Sequence, residues 1–309
     1  MNKTKTQRQQ LFGLSADATF LNLFDQPTFS GQIEQVFRKA INISINNTLF
    51  TLLSAELDNA PNSCRLLNND LSKLNLKEGE YIYFCNKTLY LGKYYFISFC
   101  FCHPWQPNNV CFIPENINKK TYLSFLNTQI SVIDVLLNRE GHSLFHYHGD
   151  NLFYLTAAKK LNSLRIELIN LLKKKDHQKL PEMVRQFIGL GIGLTPSGDD
   201  YLVGLMAFLL LKHHPAQCLH PFFEQGIRHA KEATTKVSAI TLEKAVNRHY
   251  RENLLQLLHM LATANTNDAK PYSQLQKILD IGSSSGSDML LGIRDALYLT
   301  LYFGEKYVD

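Results

Sequence analysis

Apolar and polar positions follow two different rhythms along this chain. From about residue 30 to about 115 the apolar residues come in short runs, VFRKAINISI, LFTLL, EGEYIYFCNKTLYLG and YYFISFCFC. They are rich in β-branched and aromatic side chains, which suit a pleated, half-buried surface. Turn-forming clusters separate them at Asp58-Asn59-Ala60-Pro61-Asn62, Lys77-Glu78-Gly79 and Cys85-Asn86-Lys87. This spacing predicts a small antiparallel barrel or sandwich. The loop His103-Pro104-Trp105-Gln106-Pro107-Asn108-Asn109 marks where that texture gives way.

From about residue 120 the period changes. Leu123, Leu126, Ile130, Ile133 and Leu137 recur at three- and four-residue steps, the spacing of one helix face. Further helical segments follow in LFYLTAAKKLNSLRIELINLLKKK, PEMVRQFIGL, DDYLVGLMAFLLLKHH, CLHPFFEQGIRHAKEA, AITLEKAVNRHYRENLLQLLHMLA, SQLQKILDIG and DMLLGIRDALYLTLYF. The predicted class is α+β: a β-rich domain over residues 1–115 and a helical domain over 116–309, with the boundary between 112 and 121.

Composition narrows the function classes. At 309 residues, 45% apolar and 19% charged, the chain has an ordinary globular make-up. The net charge of +5 is spread out, apart from Lys173-Lys174-Lys175. Without a basic stripe interleaved with aromatics, nucleic acid is not an expected partner. The opening MNKTKTQRQQLFGLSADATF is basic but lacks an apolar core and cleavage site, so no secretory signal is expected. The most apolar run, Leu202 to Leu211, is too short to span a bilayer, and no membrane association is expected. The cysteines, Cys64, Cys85, Cys100, Cys102, Cys111 and Cys218, sit mostly in strand-like runs. In a chain this long they suggest a reduced, cytoplasmic protein rather than a disulfide scaffold.

The densest chemistry lies in GLGIGLTPSGDD, Gly189 to Asp200, and it has an echo. Ser197-Gly198-Asp199-Asp200-Tyr201-Leu202-Val203-Gly204 and Ser285-Gly286-Ser287-Asp288-Met289-Leu290-Leu291-Gly292 both read S-G-x-D-x-L-x-G. Each follows a glycine-containing loop and opens an apolar helix. Ser and Asp there are N-cap types, and Asp at a helix start is favoured by the macrodipole. The pairs Asp200/Gly204 and Asp288/Gly292 each share a helix face, four residues apart. Two such helices would pack closely at the glycines and bring both loops to one site. Well-capped helices meeting at glycines account for either copy alone. Gly189, Gly191, Gly193 and Gly198 together with Thr195, Ser197, Asp199 and Asp200 exceed what a cap requires.

A helix N-terminus suits an anion such as phosphate or carboxylate. The stretch lacks the Gly-Lys-Ser/Thr of a P-loop, and Gly189-x-Gly191-x-Gly193 follows no clear strand. Asp199 and Asp200 would repel a bare anion. They fit if Mg²⁺ bridges them to it, if a cationic residue neutralises them, or if they accept from the N–H groups of an amide such as a carbamoyl group. Nothing in the chain forces a cofactor.

These residues also resemble a known family. GLGIGLTPSGDD, followed by TTKVSAITLEKA (Thr234 to Ala245) and IGSSSGSDMLLGI (Ile281 to Ile293), is similar to the AllH-like family, most strongly over about residues 185 to 295. The resemblance implies a subunit of an oxamate carbamoyltransferase of allantoin degradation, exchanging oxalurate plus phosphate with oxamate plus carbamoyl phosphate. It implies an FdrA-like and an AllG-like subunit as partners. The implied substrate-binding residues are Gly193, Thr195, Ser197, Gly198, Asp199, Asp200, Thr235, Ser238, Ser284, Ser285, Gly286 and Asp288. No catalytic base is assigned. Physically, the N–H groups after Gly198 and Gly286 and the hydroxyls of Thr195, Ser284 and Ser285 are candidate donors to a developing oxyanion. Thr234, Thr235 and Ser238 form a third hydroxyl cluster, equally readable as an N-cap before ITLEKAV.

Other clusters are weaker. Cys100-x-Cys102-His103 lacks the second pair of a structural zinc site, and buried strand cysteines are the plainer reading. His142, His146, His148 and Asp150 form a denser group in which His142 and His146 would share a helix face, but no H-E-x-x-H is present. Lys212-His213-His214-Pro215 reads as a cationic helix end. Gly141-His142-Ser143 begins like a nucleophile elbow, yet Phe145 replaces its second glycine. Two other function classes compete with the transferase: a phosphotransferase whose Asp199, Asp200 or Asp288 holds Mg²⁺ against a nucleotide, and a non-catalytic assembly subunit.

Overall fold

The computed structural model describes residues 8–86, 88–174, 177–264 and 271–305. Lys87, Lys175 and the opening segment through Gln7 lie outside them. The chain divides into two compact units, Met1–Pro107 and Asn108–Asp309.

The first unit is a barrel. Its strands are β1 (Gln9–Asp17), β2 (Thr28–Val36), β3 (Ala40–Ile45), β4 (Thr48–Leu53), β5 (Ser63–Leu66), β6 (Tyr81–Cys85), β7 (Thr88–Leu91), β8 (Tyr95–Ser98) and β9 (His103–Trp105). The order β5-β4-β3-β2-β6-β7-β8-β1 closes when β1 pairs back onto β5, making an eight-stranded barrel. The sheet is mixed: β1 runs parallel to β8 and β9, and β4 parallel to β5. One edge of β1 serves two neighbours in turn, with Gln9–Phe12 against β8 and Ser15–Asp17 against β9. Gly13 sits between them, where a Cβ would crowd Phe99 and Cys102. His103–Trp105 is therefore a strand and not the loop expected there, and VFRKAINISI is two strands joined by a turn. The short helix α1 (Ala18–Leu21) buries Phe20 among Phe24, Phe50 and Phe99. Ile33, Ile41, Ile43, Leu52, Ile82, Leu89 and Ile97 complete the core, each worth about 1.5–3 kcal/mol of burial. The expected buried strand cysteines are not all such: Cys64 is buried on β5, but Cys100 is exposed in a turn beyond β8 and Cys111 is exposed as well. Cys100 and Cys102 thus do not share a strand face.

The second unit is helical: α2 (Lys120–Glu140), α3 (Leu152–Lys174), α4 (Leu180–Phe187), α5 (Ser197–Leu209), α6 (His220–Ile227), α7 (Ala230–Ala233), α8 (Lys236–Val246), α9 (Glu252–Thr263), α10 (Pro271–Leu279) and α11 (Ser285–Glu305). The segment from Cys218 to Ala233 breaks into α6 and α7 instead of running as one helix. Every residue of α5 is buried, so the run around Leu202 is the centre of this unit. Among the described residues no helix is long and apolar enough to cross a membrane. The expected cationic end at His214 is corrected. Its ring is buried between Phe112 and Phe208, and burial pushes its pKa down to about 3. Nδ1 accepts from the Ala216 N–H, so the Nε2–H tautomer donates to Thr300.

Candidate functional site

The two motif copies meet. A Cβ at Gly204 would overlap the Met289 carbonyl, and a Cβ at Gly292 would overlap the Tyr201 carbonyl. The last glycine of each copy therefore seats against the fifth residue of the other, a reciprocal crossing of α5 and α11. The expectation that these helices pack at their glycines holds. The likeness reaches further back. Gly198 has no room for a Cβ against the Phe187 carbonyl, nor Gly286 against the Ile278 carbonyl, so each helix start is pressed onto the helix before it. The Gly198 N–H donates to Leu190 (2.8 Å) and the Gly286 N–H to Ile281 (2.9 Å). The repeat is a helix–loop–helix unit, α4–α5 and α10–α11.

The local roles of Ser and Asp differ from simple capping. Ser197 is already helical, and the cap position belongs to Pro196, without a side-chain cap. Asp199 uses both oxygens as an anchor: Oδ1 accepts from the Gly189 N–H (2.9 Å), Oδ2 from Thr234 (2.5 Å) and Ser238 (2.6 Å). Thr235 caps α8 by accepting from the Ser238 N–H, and its hydroxyl donates to the Leu194 carbonyl (2.5 Å). The Thr234–Ser238 cluster is thus a cap and also a clamp on the glycine loop. That loop turns on left-handed glycines, Gly189 (φ 74°), Gly191 (φ 136°) and Gly193 (φ 86°), and around Gly193 a Cβ would meet nothing.

Beneath the loops lies a carboxyl pair. Asp200 and Asp288 are 1% and 0% exposed. Ser143 donates to Asp288 Oδ1 at 2.5 Å. Asp200 Oδ2 and Asp288 Oδ2 have no hydrogen-bond partner among the described residues. Burial pushes the Asp288 carboxyl up to about 7, against the pull of the Ser143 and Ser197 hydroxyls. Burial raises Asp200 well above the usual carboxylate range, the neighbouring Asp288 raises it further, and the Ser285 and Thr195 hydroxyls oppose this. Each copy's serine hydroxyl thus favours the charged form of the other copy's aspartate. Burial also raises Asp199, but its three donors work against that. Above the pair, Thr195 Oγ1 and Ser285 Oγ lie 2.7 Å apart and join the two loops.

The structure sorts the expected site residues by depth. Ser197, Gly198, Asp199, Asp200, Ser238, Gly286 and Asp288 are buried, whereas Thr195, Thr235, Ser284 and Ser285 are partly exposed and Gly193 is open. The N–H after Gly198, expected as an oxyanion donor, is committed to the Pro196 carbonyl (2.9 Å). Ser143 was not expected here. It lies far away in sequence, on a segment where His142 also donates its N–H to Ser287 (3.0 Å). His142 and His146 do not share a helix face, since only the 3₁₀ turn Leu144–His146 forms there. Among the described residues, no group of three or more His, Cys, Asp or Glu is placed to hold a metal.

A second buried network braces α11. Arg165 grips Asp295 with both Nε (2.5 Å) and Nη2 (2.7 Å), and the Tyr201 hydroxyl donates to Asp295 at 2.9 Å. Arg294 joins Asp134 and Asp295. Here each acid has a cation. Nothing in the local sequence pattern signals it.

Comparison with known proteins places these features. No solved structure matches the chain. A family model described as oxamate carbamoyltransferase subunit AllH matches residues 187–297, which span both motif copies and α8. The model of the AllH family N-terminal domain matches residues 12–103, most of the barrel. The chain belongs to the AllH family, a family of oxamate carbamoyltransferase subunits.

Proposed function

We propose that this chain binds the anionic substrate of oxalurate phosphorolysis at the mouth formed by Gly191–Thr195 and Gly282–Ser285. The reaction joins phosphate to the carbamoyl carbon of oxalurate and releases oxamate and carbamoyl phosphate. Two helix N-termini converge there, and their positive ends favour a phosphate or carboxylate. The observation that carries the reading is the 2.7 Å Thr195–Ser285 contact, which puts one hydroxyl from each motif copy at a common, partly exposed point. Ser284 and Gly193 flank it. Ser197, Gly198, Asp199, Asp200, Thr235, Ser238, Gly286 and Asp288 shape this mouth from below. An FdrA-like and an AllG-like subunit complete the enzyme. The nucleotide-and-Mg²⁺ reading draws no support from Asp199, whose two oxygens are occupied by three internal donors.

The test is a thermal-shift titration of the purified chain with phosphate, carbamoyl phosphate, oxamate and ATP, each with and without Mg²⁺. Stabilisation of about 2.7 kcal/mol is expected at 100 times the Kd of a true ligand. A shift with oxamate or carbamoyl phosphate that disappears in Thr195→Ala and Ser285→Ala supports the reading. A shift with ATP and Mg²⁺ alone overturns it in favour of phosphotransfer.

A further inference from the structure

Four buried acids on the two crossing helices invite comparison. Asp295 is matched by Arg165, Arg294 and Tyr201. Asp199 is matched by three donors from the loop and α8. The pair Asp200 and Asp288 has neither: no ion pair among the described residues involves them, and each keeps an unpartnered, fully buried oxygen. Burying two carboxyls this way costs several kcal/mol, and an apolar pair would pack at no such cost. The fold does not need them as acids. They are also not cut off from the mouth, because the partly exposed Ser285 and Thr195 hydroxyls stand near enough to Asp200 to favour its charged form. Either of those two hydroxyls can be the donor in their mutual contact.

We propose that Ser285 and Thr195, loaded by the buried Asp200–Asp288 pair, form a proton relay for the transfer reaction at the mouth. The inference rests on the carbamoyl-transfer reading above. In the forward direction a phosphate oxygen bonds to the carbamoyl carbon, and the bond from that carbon to the oxamate nitrogen breaks. The nitrogen keeps the electron pair and takes a proton from Ser285 Oγ. Ser285 is refilled from Asp200. The proton carried by the attacking hydrogen phosphate returns to the pair through Thr195, so the relay ends as it began. The reverse reaction runs the same path backwards. Ser285 and Thr195 touch substrate, whereas Asp200 and Asp288 act through them as positioning residues. A carboxyl with a pKa near 7 suits this work, since it both holds and yields a proton at neutral pH.

The charged surroundings leave the pair in control. On α5 Asp199 is the adjacent acid, and α8 brings the Ser238 hydroxyl to that residue. Asp134 of α2 and Arg165 of α3 are engaged with Arg294 and Asp295, about two turns beyond Asp288 on α11. His142 and His146 lie on either side of Ser143 in sequence, and burial, helped by Arg165, lowers the His146 pKa. Near the remaining helix ends, Glu182 of α4 pairs with Arg185 on the surface, and Lys277 lies in the last turn of α10.

Two readouts test this. Infrared spectra of the purified full chain between pH 5 and 9 are expected to show a protonated carboxyl band that persists near pH 7. The band should be reduced in Asp288→Asn and in Asp200→Asn, lost when both are replaced, and shifted by saturating oxamate in wild type but not in Ser285→Ala. In the assembled enzyme, Ser285→Ala and Asp288→Asn should lower kcat about 100-fold and flatten its pH profile near 7, while Ser285→Thr restores much of both. Unchanged pH profiles in active variants overturn the relay and leave the binding reading intact. A wild-type chain that binds neither oxamate nor carbamoyl phosphate, alone or assembled, overturns both.

Discussion

The two copies of S-G-x-D-x-L-x-G are alike where they touch each other and different in what else they hold. Both give a glycine to the crossing and an aspartate to the buried pair. They part at the third position and in the loop before it. Asp199 ties a long, glycine-rich loop to α8, while Ser287 accepts a single N–H from His142. The α11 copy has only Gly282 in a left-handed turn, followed by serines. The shared positions hold two helices together, and the divergent ones set how the loop before each helix is tied down. A duplicated unit can thus be kept for packing and altered in its loop contacts in the same stretch.

The comparison can be broken most sharply at its shared positions. Gly204→Ala or Gly292→Ala forces a methyl into a backbone carbonyl and is expected to cost about 3 kcal/mol, read by urea denaturation. Next comes the carboxyl pair. Burial holds the Asp288 pKa at about 7 in the folded state against about 3.9 for a free carboxyl, so the folded chain binds more protons between those values. Stability therefore falls as pH rises from about 4 through about 7 and levels off above, by up to the order of 3 kcal/mol. Asp288→Asn should flatten that slope in thermal melts across pH, and an unchanged slope would argue against the pair. At the divergent position, Asp199→Ala strands three donors, the Ser238 hydroxyl among them fully buried, and should cost about 2 kcal/mol, with faster amide exchange at Gly189. The smallest effect is expected at the mouth: Thr195→Ala and Ser285→Ala should change stability by about 1 kcal/mol or less while acting on ligand affinity.

Much of this was legible in the residues themselves. The echo and the four-residue step from aspartate to glycine foretold the crossing, because helix periodicity converts that spacing directly into a shared face. Runs of β-branched and aromatic residues foretold the barrel. What closes the barrel was not legible: β1 pairs antiparallel with β5 and parallel with β8, both far along the chain, and such pairing leaves no local period. Ser143 was passed over for the same reason, since only the folded chain brings it to Asp288. The sequence pattern alone has the adjacent acids Asp199 and Asp200 both face a ligand. Helix geometry separates them by about 100°, so one turns to the loop and α8 and the other to α11.

The central claim is that the two helix starts share one mouth. The direct test is a Thr195→Cys, Ser285→Cys double variant, oxidised gently and mapped by peptide mass spectrometry. The account predicts a 195–285 cross-link formed readily in protein that melts like wild type. Natively folded protein that leaves both thiols free, or pairs them only with other cysteines, would contradict it.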